Sequence, residues 1–126
     1  MTIAQQIKVT EFPFRIKDSK GNEIYFEDSN KFWTQSEYDS NNNEIYYETS
    51  NSFWFKQKFD LRGNIIYYED SDKFWIKREF DSKGNETYYE TSYGTIRDNR
   101  PKSVPEYTME ELTKMLGKEF KITKLN

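Results

Sequence analysis

The sequence predicts a mainly β protein, an antiparallel meander of about four β-hairpins that forms a curled sheet, followed by a short C-terminal helix and a final strand. Three observations support this prediction. A 21-residue pattern recurs along the chain, and each copy contains two runs of β-forming residues separated by turn residues. Aromatic residues make up 18% of the 126 residues, as is typical of strands that pack side by side.

The repeats set the domain organisation. Three copies align without gaps at 18–38, 39–59 and 60–80, and a fourth at 81–101 keeps the first half of the pattern but loses the aromatic pair of the second half. Residues 1–17 are interpreted as N-terminal capping strands, because terminal repeats usually depart from the consensus. We expect the whole chain to form one compact domain, as its length allows.

Each repeat is predicted to be a β-hairpin. In the first copy the strands are Asn22–Glu27 and Phe32–Tyr38, and Asp28–Asn30 forms the turn between them. The turn between repeats is Asp18–Asn22, in which Gly21 supplies the left-handed residue. Short turns at both ends of every strand favour a meander.

The odd period bears on which side chains share a face. It predicts that one turn holds an odd number of residues and the other an even number. A three-residue loop with a bulge would place Trp33 on the Ile24 face, whereas the hydrophobic pattern places Trp33 on the opposite face. The hydrophobic pattern is favoured because burial usually sets strand register. In both arrangements Tyr25 and Glu27 lie opposite Ile24.

The segment 102–126 is interpreted as a linker, a capping helix and a last strand. Thr108 and Glu111 form a capping box, which predicts a helix over 108–116. Alternation over Glu119–Leu125 predicts the strand. A nine-residue helix is only about 14 Å long, whereas eight strands span roughly 35–40 Å. The helix is therefore too short to cover the apolar face of the sheet. We expect that the sheet curls with the helix at one end, that it self-associates, or that it binds a partner.

Composition excludes several classes of function. The chain has no Cys and no His, which excludes disulfides, cysteine nucleophiles and Ser-His-Asp triads. A formal net charge of −3 argues against direct nucleic-acid binding. Acidic turns such as Asp70–Asp72 are predicted to be solvated rather than to bind calcium. We predict no enzyme, no catalytic residue, no metal and no cofactor, because carboxylates that recur once per repeat behave as structural residues.

The chain shows no targeting signal or membrane segment. The start lacks a basic stretch followed by an apolar run, and no apolar run approaches the ~20 residues of a membrane helix. We therefore expect a protein of the bacterial cytoplasm that does not contact membranes.

Columns of Trp, Tyr and Glu are the candidate binding residues. The Trp and Tyr columns are equally well explained by cross-strand packing and by a partner-binding surface. On the side that they share with most of the glutamates, the strands carry nine Glu and three Lys, a net charge of −6. The candidate partner-binding residues are Tyr25, Glu27, Trp33, Tyr46, Glu48, Trp54, Tyr67, Glu69, Trp75, Tyr88 and Glu90.

The junctions between repeats resemble a known family. The segments Glu37–Asn43, Lys58–Asn64 and Glu79–Asn85 resemble the YD repeat of RHS-like proteins, whose pattern is Tyr-Asp-x-x-Gly-Asn/Arg. The resemblance covers 18–101 and implies hairpins in a curled sheet. The Tyr-Tyr-Glu and Phe-Trp elements depart from that pattern. The fuller pattern is similar to short repeat proteins of bacteriophages and prophages, which implies a mobile-element context and no residue roles.

These observations lead to one functional expectation and two alternatives. We expect a non-enzymatic inhibitor that occupies the nucleic-acid-binding groove of a host defence nuclease, as an anti-CRISPR protein would, because spaced carboxylates and aromatic rings can imitate a nucleic-acid strand. One alternative is a repeat module that binds carbohydrate or choline-type ligands. The other is a self-assembling phage structural protein, for which a homo-oligomer is expected.

Overall fold

The protein is a single open sheet with two short helices. In the computed structural model, which describes residues 1–102 and 106–117, nine antiparallel strands pair strictly in chain order, with the first and the last at the two edges. The strands are β1 (Phe14–Lys17), β2 (Glu23–Glu27), β3 (Trp33–Tyr38), β4 (Glu44–Thr49), β5 (Trp54–Phe59), β6 (Ile65–Asp70), β7 (Trp75–Phe80), β8 (Glu86–Thr91) and β9 (Ile96–Asp98). The helices are α1 (Ile3–Gln6) and α2 (Met109–Leu116). The predicted hairpin meander is confirmed.

The two turns of each repeat have the same geometry. Asp18 opens the turn between repeats, and its carbonyl accepts a hydrogen bond from Gly21 at 3.1 Å. Asp28 opens the turn within the repeat, and its carbonyl accepts one from Lys31 at 3.2 Å. Gly21 (φ 87°) and Lys31 (φ 68°) both occupy the left-handed region. Both loops therefore hold three residues, and the prediction of one odd and one even turn is wrong.

A β-bulge beside every turn between repeats explains the odd period. Glu37 pairs with Tyr46, but the next residue, Tyr38, pairs with Glu44, so Ile45 is an extra residue in β4. The same register shift follows Ile16, Lys58 and Glu79. One inserted residue per repeat makes the period odd while both turns keep equal lengths.

The bulge also decides which side chains share a face. Trp33 pairs with Glu27 and stacks on Tyr25 with ring centroids 6.2 Å apart, so the prediction from the hydrophobic pattern that Trp33 shares a face with Tyr25 and Glu27 is confirmed. Ile24 is different, because it lines the same concavity as Tyr25 and Ile16. The prediction that Tyr25, Glu27 and Trp33 lie opposite Ile24 is therefore wrong, since the bulge turns Ile24 to their side.

The sheet has two distinct faces. The side that carries the tryptophans is called the tryptophan face, and its strand residues include Tyr25, Glu27, Trp33, Gln35, Glu37, Tyr46, Glu48, Trp54, Lys56, Lys58, Tyr67, Glu69, Trp75, Lys77, Glu79, Tyr88, Glu90 and Asp98. The opposite side is called the phenylalanine face and includes Phe26, Tyr47, Phe55, Tyr68, Ile76 and Tyr89.

Cross-strand aromatic stacking provides much of the stabilisation that a buried interior provides in a two-layer protein. Among the described residues, Ala4 and Tyr25 are the only fully buried apolar ones. On the phenylalanine face, Phe55 stacks between Tyr47 at 5.2 Å and Tyr68 at 5.7 Å, and Phe74 continues the row at 6.3 Å from Tyr68. Such pairs stabilise a sheet beyond the apolar area that they cover.

A serine in the turn within the second, third and fourth repeats joins each of these repeats to the one before it. The Ser71 amide donates to the Trp54 carbonyl at 2.9 Å, and the Ser71 hydroxyl accepts from the Trp54 amide at 3.2 Å. Ser50 and Ser92 make the same pair of bonds to Trp33 and Trp75. Each serine thus extends the pairing of two hairpins by one further ring of hydrogen bonds.

Replacing Ser71 by alanine is expected to lower the free energy of unfolding by about 1 kcal/mol, because the Trp54 amide loses its acceptor. Urea denaturation followed by tryptophan fluorescence measures the change. Ser29→Ala is the matched control, since no hairpin of the repeat array precedes the first copy. Equal costs for the two variants would contradict this role of the serine.

The C-terminal helix begins and ends as its sequence predicts. The Thr108 hydroxyl accepts a hydrogen bond from the Glu111 amide at 3.1 Å, and Gly117 ends α2 with φ 69°. The helix buries none of its residues. The predicted last strand, Glu119–Leu125, lies outside the described residues.

Candidate binding surface

A hydrogen-bonded tyrosine–glutamate pair recurs once per repeat on the tryptophan face. The two residues are two apart in one strand, so both side chains point to the same side. In each pair the tyrosine hydroxyl donates to the carboxylate. The distances are 2.8 Å for Tyr25–Glu27, 3.1 Å for Tyr46–Glu48, 3.3 Å for Tyr67–Glu69 and 2.7 Å for Tyr88–Glu90. The carboxylates are therefore held in fixed positions.

The tyrosines remain hydrogen-bond donors over a wide pH range. Burial, reinforced by the neighbouring carboxylates, raises the pKa of the Tyr46 and Tyr67 hydroxyls. For Tyr88 the hydrogen bond to Glu90 is the largest cause of its raised pKa. Burial raises the pKa of Tyr25 to about 12, with the bond to Glu27 as the next cause.

The tryptophans lie directly across from the glutamates. Trp54 pairs with Glu48 and Trp75 with Glu69. A lysine covers each of these two rings, with Nζ 5.3 Å from the Trp54 centroid for Lys56 and 5.0 Å from the Trp75 centroid for Lys77. Both indoles are thus placed to take a cation on their faces.

The first tyrosine–glutamate pair is covered by α1. Tyr25 is 5% exposed and Glu27 only 1%. The Glu27 carboxylate accepts hydrogen bonds from the Thr2 hydroxyl at 2.7 Å and the Ala4 amide at 3.2 Å, in addition to the Tyr25 hydroxyl. Burial alone would raise the pKa of Glu27, but these three donors outweigh it and the pKa is lowered.

The candidate partner-binding residues are thus brought to one face, but not all of them can reach a partner. Tyr25 and Glu27 are buried under α1, so their side chains are not accessible to a partner. The remaining candidates are Trp33, Tyr46, Glu48, Trp54, Tyr67, Glu69, Trp75, Tyr88 and Glu90, and their role in binding stays a prediction.

The tryptophan face is less acidic than the sequence predicted. Glu23 pairs with Arg15 at 2.7 Å, and Glu86 pairs with Arg97 at 3.4 Å. Arg15 is the cross-strand partner of Phe26, and Arg97 is that of Tyr89. Both glutamates therefore lie toward the phenylalanine face. The bulge turns them there, because each immediately precedes its inserted residue. Glu44 precedes Ile45 in the same way and pairs with Tyr38, so it lies there too. Without these three glutamates the nine Glu and three Lys counted from the sequence become six Glu and three Lys, a net charge of −3.

An arginine that was not predicted as a site residue occupies the end of the tryptophan face. The guanidinium of Arg100 lies 4.1 Å from the Tyr88 ring centroid, and its Nη1 contacts Glu79 at 3.0 Å. Asp98 holds the other side of the guanidinium at 2.8 Å. Hydrogen bonds from Arg100 lower the pKa of Asp98 to about 2. Nothing in the repeat pattern of the sequence relates the Asp98–Pro101 segment to Tyr88, so this contact could not be predicted.

Two adjacent concavities lie along the same face, next to the bulges. One, of about 590 Å³, is lined by Ile24, Tyr25, Glu37, Ile45, Tyr46 and residues around them. The other, of about 540 Å³, shares Glu37, Ile45 and Tyr46 and adds two lysines, Lys56 and Lys58. The tryptophan face is therefore grooved between its tyrosine columns.

A metal cluster and a membrane-spanning helix are both absent from the part of the chain that the structure describes. In residues 1–102 and 106–117, no group of three or more acidic side chains is arranged to hold a metal ion. No helix within these ranges is long and apolar enough to cross a membrane. The carboxylates at the turns between repeats are engaged locally, as at Asp39, which accepts from the Asn41 and Asn43 amides.

The fold and this surface define an open hairpin-repeat protein that displays a periodic row of aromatic rings and carboxylates. No protein-family model matches the chain, and a search of curated proteins returned no match.

Proposed function

We propose that the protein is a non-enzymatic, protein-binding inhibitor encoded by a phage or mobile element. Its tryptophan face occupies the nucleic-acid-binding groove of a host defence nuclease, such as a CRISPR effector. One observation carries the proposal: the carboxylates of Glu48, Glu69 and Glu90 are each fixed by a tyrosine hydroxyl. They recur every second strand, a spacing of about 10 Å.

Fixed carboxylates suit a groove that is built for a polyanion. Arginines and lysines in such a groove approach phosphates, and its aromatic side chains stack on bases. A row of carboxylates beside Trp54 and Trp75 offers both kinds of contact from one rigid sheet. Because the tyrosines already order the carboxylates, binding loses little side-chain entropy.

The mobile-element context is supported by the resemblance of the junctions to YD repeats of the short phage and prophage kind. The hairpin meander agrees with the architecture that this resemblance implies.

The test is binding to purified RNA-guided and DNA-guided nucleases, measured by size-exclusion chromatography and by inhibition of cleavage. The variant Glu48→Lys/Glu69→Lys/Glu90→Lys is expected to weaken binding by at least about 100-fold, since charges at an interface centre are costly to reverse. Binding should also weaken as salt concentration rises.

A control variant makes the same change in net charge elsewhere. Glu11→Lys/Asp72→Lys/Glu106→Lys reverses three exposed loop carboxylates and is expected to bind like the original protein. If the tryptophan-face variant retains full binding, or if both variants lose it equally, the proposed mimicry is wrong.

A ligand-binding module is the second candidate function, and the lysines above Trp54 and Trp75 favour it. They show that the indole faces accept a cation, as they would the quaternary ammonium of choline. A choline-dependent rise in melting temperature that is lost in Trp54→Ala would support this candidate. No thermal shift with choline and no signal on a glycan array would exclude it.

A further inference from the structure

The third and fourth repeats together form an arginine site that this chain fills itself. Glu79 and Tyr88 are cross-strand partners on the tryptophan face. The Arg100 guanidinium lies over the Tyr88 ring and forms an ion pair with Glu79. A carboxylate beside an aromatic ring thus binds a guanidinium through charge and through the ring face together.

The same pair recurs two repeats earlier, without an arginine from the described residues. Glu37 and Tyr46 occupy the repeat positions of Glu79 and Tyr88 and pair across β3 and β4 in the same register. Within residues 1–102 and 106–117, Glu37 forms no ion pair. Its side chain is exposed and borders both concavities of the tryptophan face.

The surroundings of Glu37 favour an organic cation with an apolar stem. The larger concavity contains no lysine or arginine among its lining residues, and Ile24 and Ile45 contribute apolar walls. At the second copy of this position Lys58 replaces the glutamate and lies 6.0 Å from the Tyr67 ring centroid. A cation is therefore found over the tyrosine ring in this repeat too.

We propose that the Glu37–Tyr46 pair, with the concavity beside it, is a binding site for an arginine side chain of the partner protein. The inference rests on the proposed function and specifies one of its contacts. The partner's guanidinium lies over the Tyr46 ring and pairs with Glu37, and its aliphatic stem packs on Ile45. Arg100 on Glu79 and Tyr88 is the internal template for these contacts to the carboxylate and the ring. Asp98, which also pairs with Arg100, has no counterpart here, because the residue across from Tyr46 in β5 is Lys56.

The test needs no partner protein. N-acetyl-arginine methylamide is titrated into the protein while the NMR signals of Tyr46, Ile45 and Tyr88 are followed, and the citrulline analogue serves as the uncharged probe. We expect saturable shifts at Tyr46 and Ile45 with the arginine probe alone. Tyr88 should not respond, because Arg100 already covers it.

Two variants separate the two sites. Glu37→Gln is expected to weaken the response at Tyr46 roughly 5-fold, whereas Glu11→Gln, the same charge change at an exposed loop carboxylate, should leave it unchanged. Arg100→Ala empties the internal site, so that the probe should now also shift Tyr88 and raise the melting temperature of this variant.

Three results would overturn the inference. The first is a response at Tyr88 in Arg100→Ala with none at Tyr46 in the original protein. The second is an equal response to the citrulline probe. The third is tighter binding of free arginine than of the capped residue, which would indicate a small-molecule site. Failure to capture any nuclease would contradict the proposed function without changing these readouts, and the lysine variants used for that test leave Glu37 in place.

Discussion

Replacing Glu27 by alanine is expected to lower the free energy of unfolding by about 3 kcal/mol, because it leaves several donors to a buried carboxylate without an acceptor. The Thr2 hydroxyl, the Ala4 amide and the Tyr25 hydroxyl all converge on this side chain. Few other contacts can hold a four-residue helix on the sheet, so α1 should detach. Urea denaturation measures the cost, and hydrogen exchange at the Gln6 and Ile7 amides reports the release of α1.

Glu48→Ala is the matched control for Glu27→Ala. Glu48 occupies the same position one repeat later and accepts from Tyr46 and Gln35, but it is only half-buried and no helix covers it. We expect a cost of about 1 kcal/mol or less. Equal costs at the two positions, or unchanged amide protection in α1, would show that Glu27 does not anchor the helix.

The second large effect is expected on the phenylalanine face. Phe55→Ala should lower the free energy of unfolding by about 2–3 kcal/mol, because it removes both stacking contacts, to Tyr47 and to Tyr68, in the middle of the sheet. Phe55 is only half-buried, so the cost lies below that of a fully buried ring. Urea denaturation with fluorescence detection provides the measurement.

Phe55→Leu separates stacking from apolar coverage. Leucine keeps much of the apolar area but lacks a ring, so about half of the alanine cost should remain. If Phe55→Ala costs less than about 1 kcal/mol, the aromatic row does not stabilise the sheet in the way inferred from its geometry.

The strands and turns were predictable because their signals are local. The predicted strands Asn22–Glu27 and Phe32–Tyr38 each exceed the observed strands by one residue at the start. Turn residues fixed these boundaries, since aspartate or threonine opens each turn and a left-handed residue closes it.

The faces were harder to predict because the bulge is a property of the pairing between strands. No residue type marks Ile45 as inserted, and its equivalents are Ile24, Ile66 and Thr87. Period alone could not distinguish an extra loop residue from an extra strand residue. The structure resolves this, and it moves both the isoleucine column and the glutamates before it to the faces opposite those predicted.

The remaining differences come from residues 1–17 and from the irregular second half of the fourth repeat. Residues 1–17 contain α1 as well as the strand β1, and a helix of four residues is too short to show a periodic pattern. A signal was present, since Thr2 and Gln5 form a capping box. Arg100 contacts Glu79 across 21 positions of sequence, one full period, but a single residue in the least regular copy carries no pattern.

The bulge has a consequence for how such a protein can change in length. Because every copy starts and ends in an identical turn, a gene duplication or loss of one 21-residue unit would leave all other side chains facing as before. Each such event would lengthen or shorten the displayed row by about 10 Å, the width of two strands. Evolution can therefore adjust the length of the array to the size of its target one repeat at a time, without changing the fold.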